Sequence, residues 1–209
     1  MSLLSQFQNQ FAIPVLRETR SDYLENMALS IAEGGLSILE ITLMSEEAFG
    51  VIEKLSKKTN LLIGAGTVLS ETQAKQAIDA GAKFLVSPGL NAEALKFAHS
   101  QNIPFYPGVL TPTEILIAKN LGCDLVKIFP ISAMGGAQYL RSLQGPYPQM
   151  KWMATGGVSM QDFKSLMGAG ATCVGLGNQM TPTEIINAKN WSALTALAEL
   201  HVQAVKEAR

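Results

Sequence analysis

The sequence predicts an α/β protein, a single (β/α)8 TIM barrel over residues 1–209 with a short N-terminal helix. Four stretches share one pattern, a glycine after a helical segment and then an aliphatic run: EGGLSILEIT, AGAKFLVSP, LGCDLVKIFP and AGATCVGLG. This pattern is typical of a helix that ends at a left-handed glycine and a strand buried on both faces. Strict alternation of strands and helices implies a parallel sheet with right-handed crossovers. Eight units with no linker or second domain favour a barrel, and an open doubly wound sheet is the alternative.

The predicted elements follow in order along the chain. Residues 2–10 are expected to form a helix outside the repeat. Strands are expected at residues 12–17, 38–43, 61–67, 84–88, 104–109, 125–130, 151–156 and 172–177. Helix starts follow most strands, and Ser70 with Gln73 is typical of a capping box. The tetrad Thr-Pro-Thr-Glu at 111–114 and 181–184 supplies a threonine N-cap, a proline at N1 and a glutamate at N3.

Composition and charge exclude several classes of protein. The 209 residues are 47% hydrophobic and carry a net charge of -1, which suits a large core and argues against nucleic acid or an anionic membrane surface as the main partner. The N-terminus lacks a signal peptide, and no apolar run approaches the roughly 20 residues that a membrane span needs. We therefore expect a cytoplasmic protein with no membrane partner.

The cysteines and histidines are few and scattered. Cys123 and Cys173 each lie in an apolar segment, and we interpret them as two buried thiols in a reducing compartment. His99 and His201 lie in helical segments, so no cluster has metal-ligand spacing. The sequence predicts neither a metal site nor a cofactor.

Polar and glycine residues collect where the predicted strands end. In a parallel barrel the active site lies at the C-terminal ends of the strands. Seven of the eight predicted ends carry such residues: Arg17, Glu40, Thr42, Gly66, Thr67, Ser87, Pro88, Gly89, Lys127, Thr155, Gly156, Gly157, Gly175, Gly177 and Asn178.

The segment DLVKIFP places Lys127 inside an apolar strand, where an unpaired ammonium group is costly. By the two-residue period of a strand, Lys127 shares its face with Leu125 and Phe129. Glu40 shares its own face with Ile38 on the second strand. Barrel interiors are layered, with each layer fed by alternate strands. Lys127 and Glu40 lie on even-numbered strands, so we expect them to approach each other across the barrel.

Ordinary structural roles are the alternative for each residue alone. Lys127 could reach solvent from a strand end, Glu40 could be only its buried ion-pair partner, and glycine pairs often mark simple turns. We favour a functional site because these separate explanations would all have to hold together.

The predicted pair suits imine chemistry. Burial favours the free amine, which is the nucleophilic form of lysine, and a nearby carboxylate can move protons. Arg17 could hold a substrate carboxylate, and the glycine-rich ends of the last two strands match the phosphate cradle of barrel enzymes. The alternatives are a metal-free sugar-phosphate isomerase or epimerase on the same barrel and a non-catalytic ligand-binding barrel.

Seven motifs resemble, in order, those of the 2-keto-3-deoxy-6-phosphogluconate (KDPG) and 4-hydroxy-2-oxoglutarate aldolase family. They are VLR at 15–17, LEITL at 39–43, GAGTVL at 64–69, SPGL at 87–90, PGVLTPTE at 107–114, VKIFP at 126–130 and TGGV at 155–158. The resemblance implies a homotrimeric class I aldolase without a cofactor. Its small-molecule 2-oxo acid substrate would be a 2-keto-3-deoxy sugar acid 6-phosphate, cleaved to pyruvate and glyceraldehyde 3-phosphate, or a close 2-oxo-4-hydroxy acid.

The resemblance also implies roles for individual residues. Lys127 would be the Schiff-base lysine and Glu40 the general acid/base. Thr67 and Arg17 would contact the pyruvate carboxylate, while Pro88 and Phe129 would shape the pocket. The remaining substrate-binding residues would lie at the last two strand ends, near the phosphate: Thr155, Gly156, Gly157, Gly177 and Asn178.

Two positions depart from the family pattern. Some relatives carry an arginine as carboxylate anchor where this chain has Met44, and we interpret Arg17 as its substitute. Asn178 stands where some members have a phosphate-contacting serine, and its amide can still donate to phosphate. The sequence leaves open whether the substrate is phosphorylated and whether it has the gluconate or the galactonate configuration.

Overall fold

The computed structural model describes residues 2–209 as one parallel sheet surrounded by helices. The strands are β1 Ala12–Leu16, β2 Ile38–Thr42, β3 Leu62–Gly66, β4 Leu85–Val86, β5 Phe105–Tyr106, β6 Gly108–Val109, β7 Leu125–Ile128, β8 Lys151–Thr155 and β9 Cys173–Leu176. The helices are α1 Leu3–Gln10, α2 Ser21–Glu33, α3 Glu47–Lys58, α4 Glu71–Asp79, α5 Ala92–Ser100, α6 Pro112–Asn120, α7 Ala137–Gln144, α8 Phe163–Gly168, α9 Thr183–Asn187 and α10 Trp191–Ala208.

The sheet order is β5-β4-β3-β2-β1-β9-β8-β7-β6, and the paired strands run parallel. The predicted strand at 104–109 is divided at Pro107 into β5, which pairs with β4, and β6, which pairs with β7. Proline has no N–H for the ladder, so the strand breaks there. The two halves bring the ends of the sheet together, and the predicted (β/α)8 barrel is confirmed.

Local capping signals predict the starts of α4 and α6 correctly. Thr111 and Glu114 form the predicted capping box of α6, and the Ser70 hydroxyl accepts from the Gln73 N–H at the start of α4. The second Thr-Pro-Thr-Glu prediction is wrong, because α9 has Pro182 at its N-cap position. The Thr181 hydroxyl instead donates to the carbonyl of Gly177 at 3.3 Å, so it stabilises the preceding turn.

Two apolar clusters fill the molecule, one inside the sheet and one between sheet and helices. Leu125 and Ile38 belong to the inner cluster, whereas Val126 and Ile128 pack with the helices, as the strand period predicts. Phe7 of α1 joins the inner cluster, 5.0 Å from Phe84 in an edge-to-face contact. The N-terminal helix therefore closes one end of the barrel and leaves the other end for a site.

The two cysteines are free and buried, as predicted. Across residues 2–209 no group of three or more His, Cys, Asp or Glu side chains is placed to hold a metal ion. None of the helices in this range has the length and apolar character to cross a membrane.

Candidate active site

The candidate site is built around Lys127, which lies on β7 with only 4% of its surface exposed. Its neighbours along the strand are apolar, and it stands in register with Gly108 on β6 and Met153 on β8. The Lys127 Nζ atom lies 4.0 Å from Oε1 of Glu40. The two residues that the strand period places on one layer are therefore neighbours across the barrel.

Glu40 is more deeply buried than the lysine, with 1% of its surface exposed. Neither of its carboxylate oxygens has a hydrogen-bond partner among residues 2–209. A separation of 4.0 Å from Nζ exceeds the usual 2.7–3.2 Å of a direct hydrogen bond. An unsatisfied buried carboxylate is costly. This arrangement is therefore typical of a binding-site group whose hydrogen-bond partner is supplied by a ligand.

Inward-facing glycines provide the space around the pair. A Cβ atom at Gly66 would overlap the Glu40 carboxylate, and one at Gly108 would overlap the Pro88 carbonyl. The sequence motifs give no role to Gly108 and place Gly66 only at the end of a strand. The missing information is the register between neighbouring strands, which places each glycine opposite a particular side chain.

Phe129 and Thr67 lie at the rim of this space. The Lys127 Nζ atom is 5.3 Å from the centroid of the Phe129 ring, within the range of a cation–π interaction. Thr67 has a φ of 58°, a left-handed conformation that is an outlier for a β-branched residue. Such strain clusters at ligand sites, which supports the binding role predicted for Thr67. Pro88 is exposed at the end of β4.

Thr155 ends β8 with 2% of its surface exposed. Its Oγ1 atom has no hydrogen-bond partner within the described chain. The hydroxyl lies beside Gly175 of β9, where a Cβ atom would be only 2.6 Å from Oγ1. The barrel therefore presents a second unsatisfied buried polar group on the same side as Glu40.

The turns after β8 and β9 lie side by side because these strands are paired. Gly156 and Gly157 have φ values of 97° and 74°, which favour glycine. The backbone N–H groups of Gly156, Gly157, Gly177 and Asn178 donate to no acceptor among residues 2–209. The Asn178 side chain is exposed. Free N–H groups gathered at two adjacent turns can receive an anion.

Arg17 follows β1 and is exposed. Its guanidinium group lies over Gly177, where a Cβ atom would be 2.6 Å from Nη1. The arginine that was predicted to hold the pyruvate carboxylate thus extends toward the turn after β9.

Cys173 lies in the inner cluster beneath this site. Burial, with a smaller contribution from the Glu40 charge, raises the pKa of the Cys173 thiol well above its usual range. The thiol therefore stays neutral and behaves as a small apolar side chain. The structure therefore leaves the Lys127 amine as the candidate nucleophile beside Glu40.

Comparison with known proteins identifies the family of the chain. The model of the KDPG and KHG aldolases matches residues 4–197. The chain belongs to this aldolase family. It is 32% identical to the KHG/KDPG aldolase of Escherichia coli K12, over 93% of this chain and 92% of that protein.

Solved structures of the aldolase family share the fold. The KDPG aldolase of Legionella pneumophila, with pyruvate captured at low pH as a covalent carbinolamine intermediate, is 32% identical and has a TM-score of 0.88, covering 96% of this chain and 98% of that one. The 2-keto-3-deoxy-6-phosphogluconate aldolase of Zymomonas mobilis ZM4 with 3-phosphoglycerate is 30% identical and has a TM-score of 0.83. The alignment with the Zymomonas structure covers 94% of this chain and 95% of that one.

Proposed function

We propose that the protein is a class I aldolase that cleaves KDPG, or a close 2-oxo-4-hydroxy acid, to pyruvate and an aldehyde. The aldehyde from KDPG would be glyceraldehyde 3-phosphate. The observation that carries the proposal is the buried pair itself, with Lys127 Nζ 4.0 Å from a Glu40 carboxylate that has no hydrogen-bond partner in residues 2–209. Family membership supplies the reaction class.

The first half of the reaction forms the imine. The free amine of Lys127 attacks the C2 carbonyl carbon of the substrate, and the resulting carbinolamine loses water to give an iminium ion. Glu40 accepts the amine proton and returns it to the departing hydroxyl. The ring of Phe129, 5.3 Å from Nζ, stabilises the positive charge that the iminium carries.

The second half breaks the C3–C4 bond. Glu40 removes the proton from the C4 hydroxyl, the C3–C4 electrons move into the iminium, and the aldehyde leaves. The enamine is then protonated at C3, and water releases pyruvate from Lys127. A carboxylate 4.0 Å from Nζ is close enough to serve each of these proton transfers directly or through one water.

The remaining residues are proposed to hold the substrate. The strained Thr67 would contact the pyruvate carboxylate, and the unsatisfied hydroxyl of Thr155 would donate to or accept from a substrate hydroxyl. Pro88 and Phe129 would line the apolar side of the pocket. The N–H groups of the turns at Gly156, Gly157, Gly177 and Asn178 would bind the phosphate of a phosphorylated substrate.

Three properties are proposed on the family likeness alone. They are assembly as a homotrimer, a cytoplasmic location, and activity without a cofactor. The oligomeric state is measured by light scattering coupled to size-exclusion chromatography.

Borohydride reduction in the presence of pyruvate tests the imine. We expect a stable adduct on Lys127, located by peptide mass spectrometry, and no adduct in Lys127→Ala. Lys151→Ala is the matched control, because Lys151 is an exposed lysine on the neighbouring strand β8 and its removal leaves labelling intact. An unlabelled wild-type protein that still releases pyruvate would refute the Schiff-base mechanism.

A further inference from the structure

The direction of Arg17 suggests which end of the substrate it serves. By the two-residue period of a strand, Arg17 lies on the same face of the chain as Ile13, which belongs to the inner cluster. β1 lies between β2, which carries Glu40, and β9, which leads to Gly177. The guanidinium extends to the β9 side, where Nη1 would be 2.6 Å from a Cβ atom on Gly177. The guanidinium therefore lies at the turn after β9, and it forms no ion pair with Glu40.

The positive charge of Arg17 is not neutralised locally. Its sequence neighbour Glu18 is committed to Arg20, which donates from Nε at 2.9 Å and also forms an ion pair through Nη2. Arg17 itself forms no hydrogen bond or ion pair with the described residues. A guanidinium held against free backbone N–H groups is suited to an oxyanion.

Ser132 lies on the opposite side of the same turns. Its N–H donates to the Gly156 carbonyl at 3.1 Å, which fixes it beside the turn after β8. A Cβ atom on Gly157 would be 2.9 Å from the Ser132 Oγ atom, and Ser132 is exposed. The sequence motifs gave this serine no role.

The strand order explains why these two side chains face one site. The strands β1, β9, β8 and β7 are consecutive neighbours. Arg17 follows the first of them and Ser132 follows the last, so the pair brackets the two glycine turns between them. A cavity of about 170 Å³ adjoins the Arg17 side, and its polar lining also includes Asn178, Thr181, Thr183, Asn187 and the paired Glu18 and Arg20.

We propose that Arg17 and Ser132 together hold the phosphate monoester at the distal end of the substrate, and that Arg17 serves this phosphate and not the pyruvate carboxylate. Arg17 supplies the charge, and Ser132 supplies a hydroxyl donor beside the N–H of Gly157. The inference rests on the proposed aldolase function, and it assigns the residues that distinguish a phosphorylated substrate from an unphosphorylated one.

Three variants test the proposal. Arg17→Gln removes the charge and Ser132→Ala removes the hydroxyl. Gly177→Ala displaces the guanidinium while leaving Arg17 in the chain, and it adds no backbone strain because Gly177 does not have a positive φ. Arg141→Gln and Ser142→Ala are matched controls, since both residues are exposed on α7. Each protein is assayed with KDPG, with its unphosphorylated analogue and with 4-hydroxy-2-oxoglutarate.

For Arg17→Gln we expect kcat/KM with KDPG to fall about 10- to 100-fold, the size of one lost hydrogen bond to a charged group. Ser132→Ala and Gly177→Ala should show smaller losses, of about 3- to 30-fold, on the same substrate. The unphosphorylated analogue should be cleaved as by wild type. The concentration of pyruvate that half-saturates borohydride trapping should also stay the same.

Other results would refute the phosphate role of Arg17 while leaving the proposed aldolase activity intact. A raised pyruvate requirement in Arg17→Gln, or equal losses on phosphorylated and unphosphorylated substrates, would return Arg17 to the carboxylate. A loss confined to 4-hydroxy-2-oxoglutarate would assign the site to a distal carboxylate. Failure of the aldolase function appears differently, as a wild-type protein that pyruvate and borohydride do not label.

Discussion

The Glu40 carboxylate on β2 lies over Gly66 on β3, two residues beyond its own register partner Gly64, and occupies the space that a side chain at Gly66 would fill. Glycine at this position is therefore required for the observed position of the Glu40 carboxylate. The same relation holds on β9, where Gly175 leaves room for the Thr155 hydroxyl. These two glycines leave space for the Glu40 and Thr155 side chains and have no reactive group of their own.

Gly66→Ala is expected to displace the Glu40 carboxylate and lower kcat at least about 100-fold, the lower bound of a general acid/base contribution. The fold should persist, because Gly66 does not adopt a positive φ. Gly50→Ala is the control. Gly50 lies inside α3 with no atom within 4 Å of an added Cβ, so this change should leave activity intact and stabilise by about 0.5–1 kcal/mol. Full activity of Gly66→Ala would refute the link between the glycine and Glu40.

Glu40→Gln keeps the shape of the side chain and removes its basicity. We expect kcat for cleavage to fall about 10²–10⁴-fold, together with exchange of the pyruvate methyl protons into deuterated water, measured by NMR. Unchanged proton exchange would exclude Glu40 from the proton transfers.

The repeated helix–glycine–strand unit, and the face of a strand on which each residue lies, could be predicted because both depend on local sequence. A glycine followed by an aliphatic run can be read directly from the sequence. The two-residue period of a strand then places Lys127 on the same face as Leu125. The break at Pro107 and the contact between the Glu40 carboxylate and Gly66 depend on how neighbouring strands are aligned, which one strand does not encode. Thr181 is not the predicted N-cap because α9 begins only at Thr183, and its hydroxyl donates to the carbonyl of Gly177 in the preceding turn.

Arg17 shows a second limit of the sequence. Its place at the end of β1 was predictable, whereas the direction of its guanidinium depends on the space above Gly177 and on Arg20 engaging Glu18. The first of these depends on the barrel, which places the end of β1 beside the turn after β9. A residue type and a strand end therefore predict an anion-binding group but not which anion it binds.

Thr155→Val separates a functional hydroxyl from a structural one. The buried hydroxyl has no partner among residues 2–209, so its removal should maintain or raise the melting temperature. We expect kcat/KM to fall about 10-fold, the loss of one hydrogen bond to substrate. Thr172→Val is the matched control. The Thr172 hydroxyl accepts from the Trp152 N–H at 3.3 Å, and its loss should lower stability and spare activity. If Thr155→Val instead lost stability and kept its activity, Thr155 would have a structural role and would not belong to the site.

Phe7→Ala tests the closure of the barrel by α1. Phe7 is completely buried and packs 5.0 Å from Phe84, so truncation should lower the free energy of unfolding by about 3–5 kcal/mol. Leu200→Ala on α10 is the control, because Leu200 is 58% exposed. Equal destabilisation of the two variants, measured by chemical denaturation, would show that the helix does not seal the interior.

His201 should make stability depend on pH. It is buried on α10, where Nδ1 donates to the Leu197 carbonyl at 2.8 Å and Nε2 has no partner within the described chain. Burial outweighs that hydrogen bond and lowers the pKa of His201 from 6.5. Above pH 6.5 both the folded and unfolded forms are neutral, so the group has no effect there. As the pH falls below that value the unfolded chain takes the proton first, and folding loses up to about 1.4 kcal/mol per pH unit until the lowered pKa is reached.

His201→Gln can donate to the same carbonyl and does not titrate. Its free energy of unfolding should therefore decline less than that of the wild type between pH 7 and pH 5, when both are measured by urea denaturation at fixed ionic strength. Two curves that stay parallel over this range would mean that the buried imidazole accepts a proton as readily in the folded protein as in the unfolded chain, which its unpartnered Nε2 and the burial of its ring argue against.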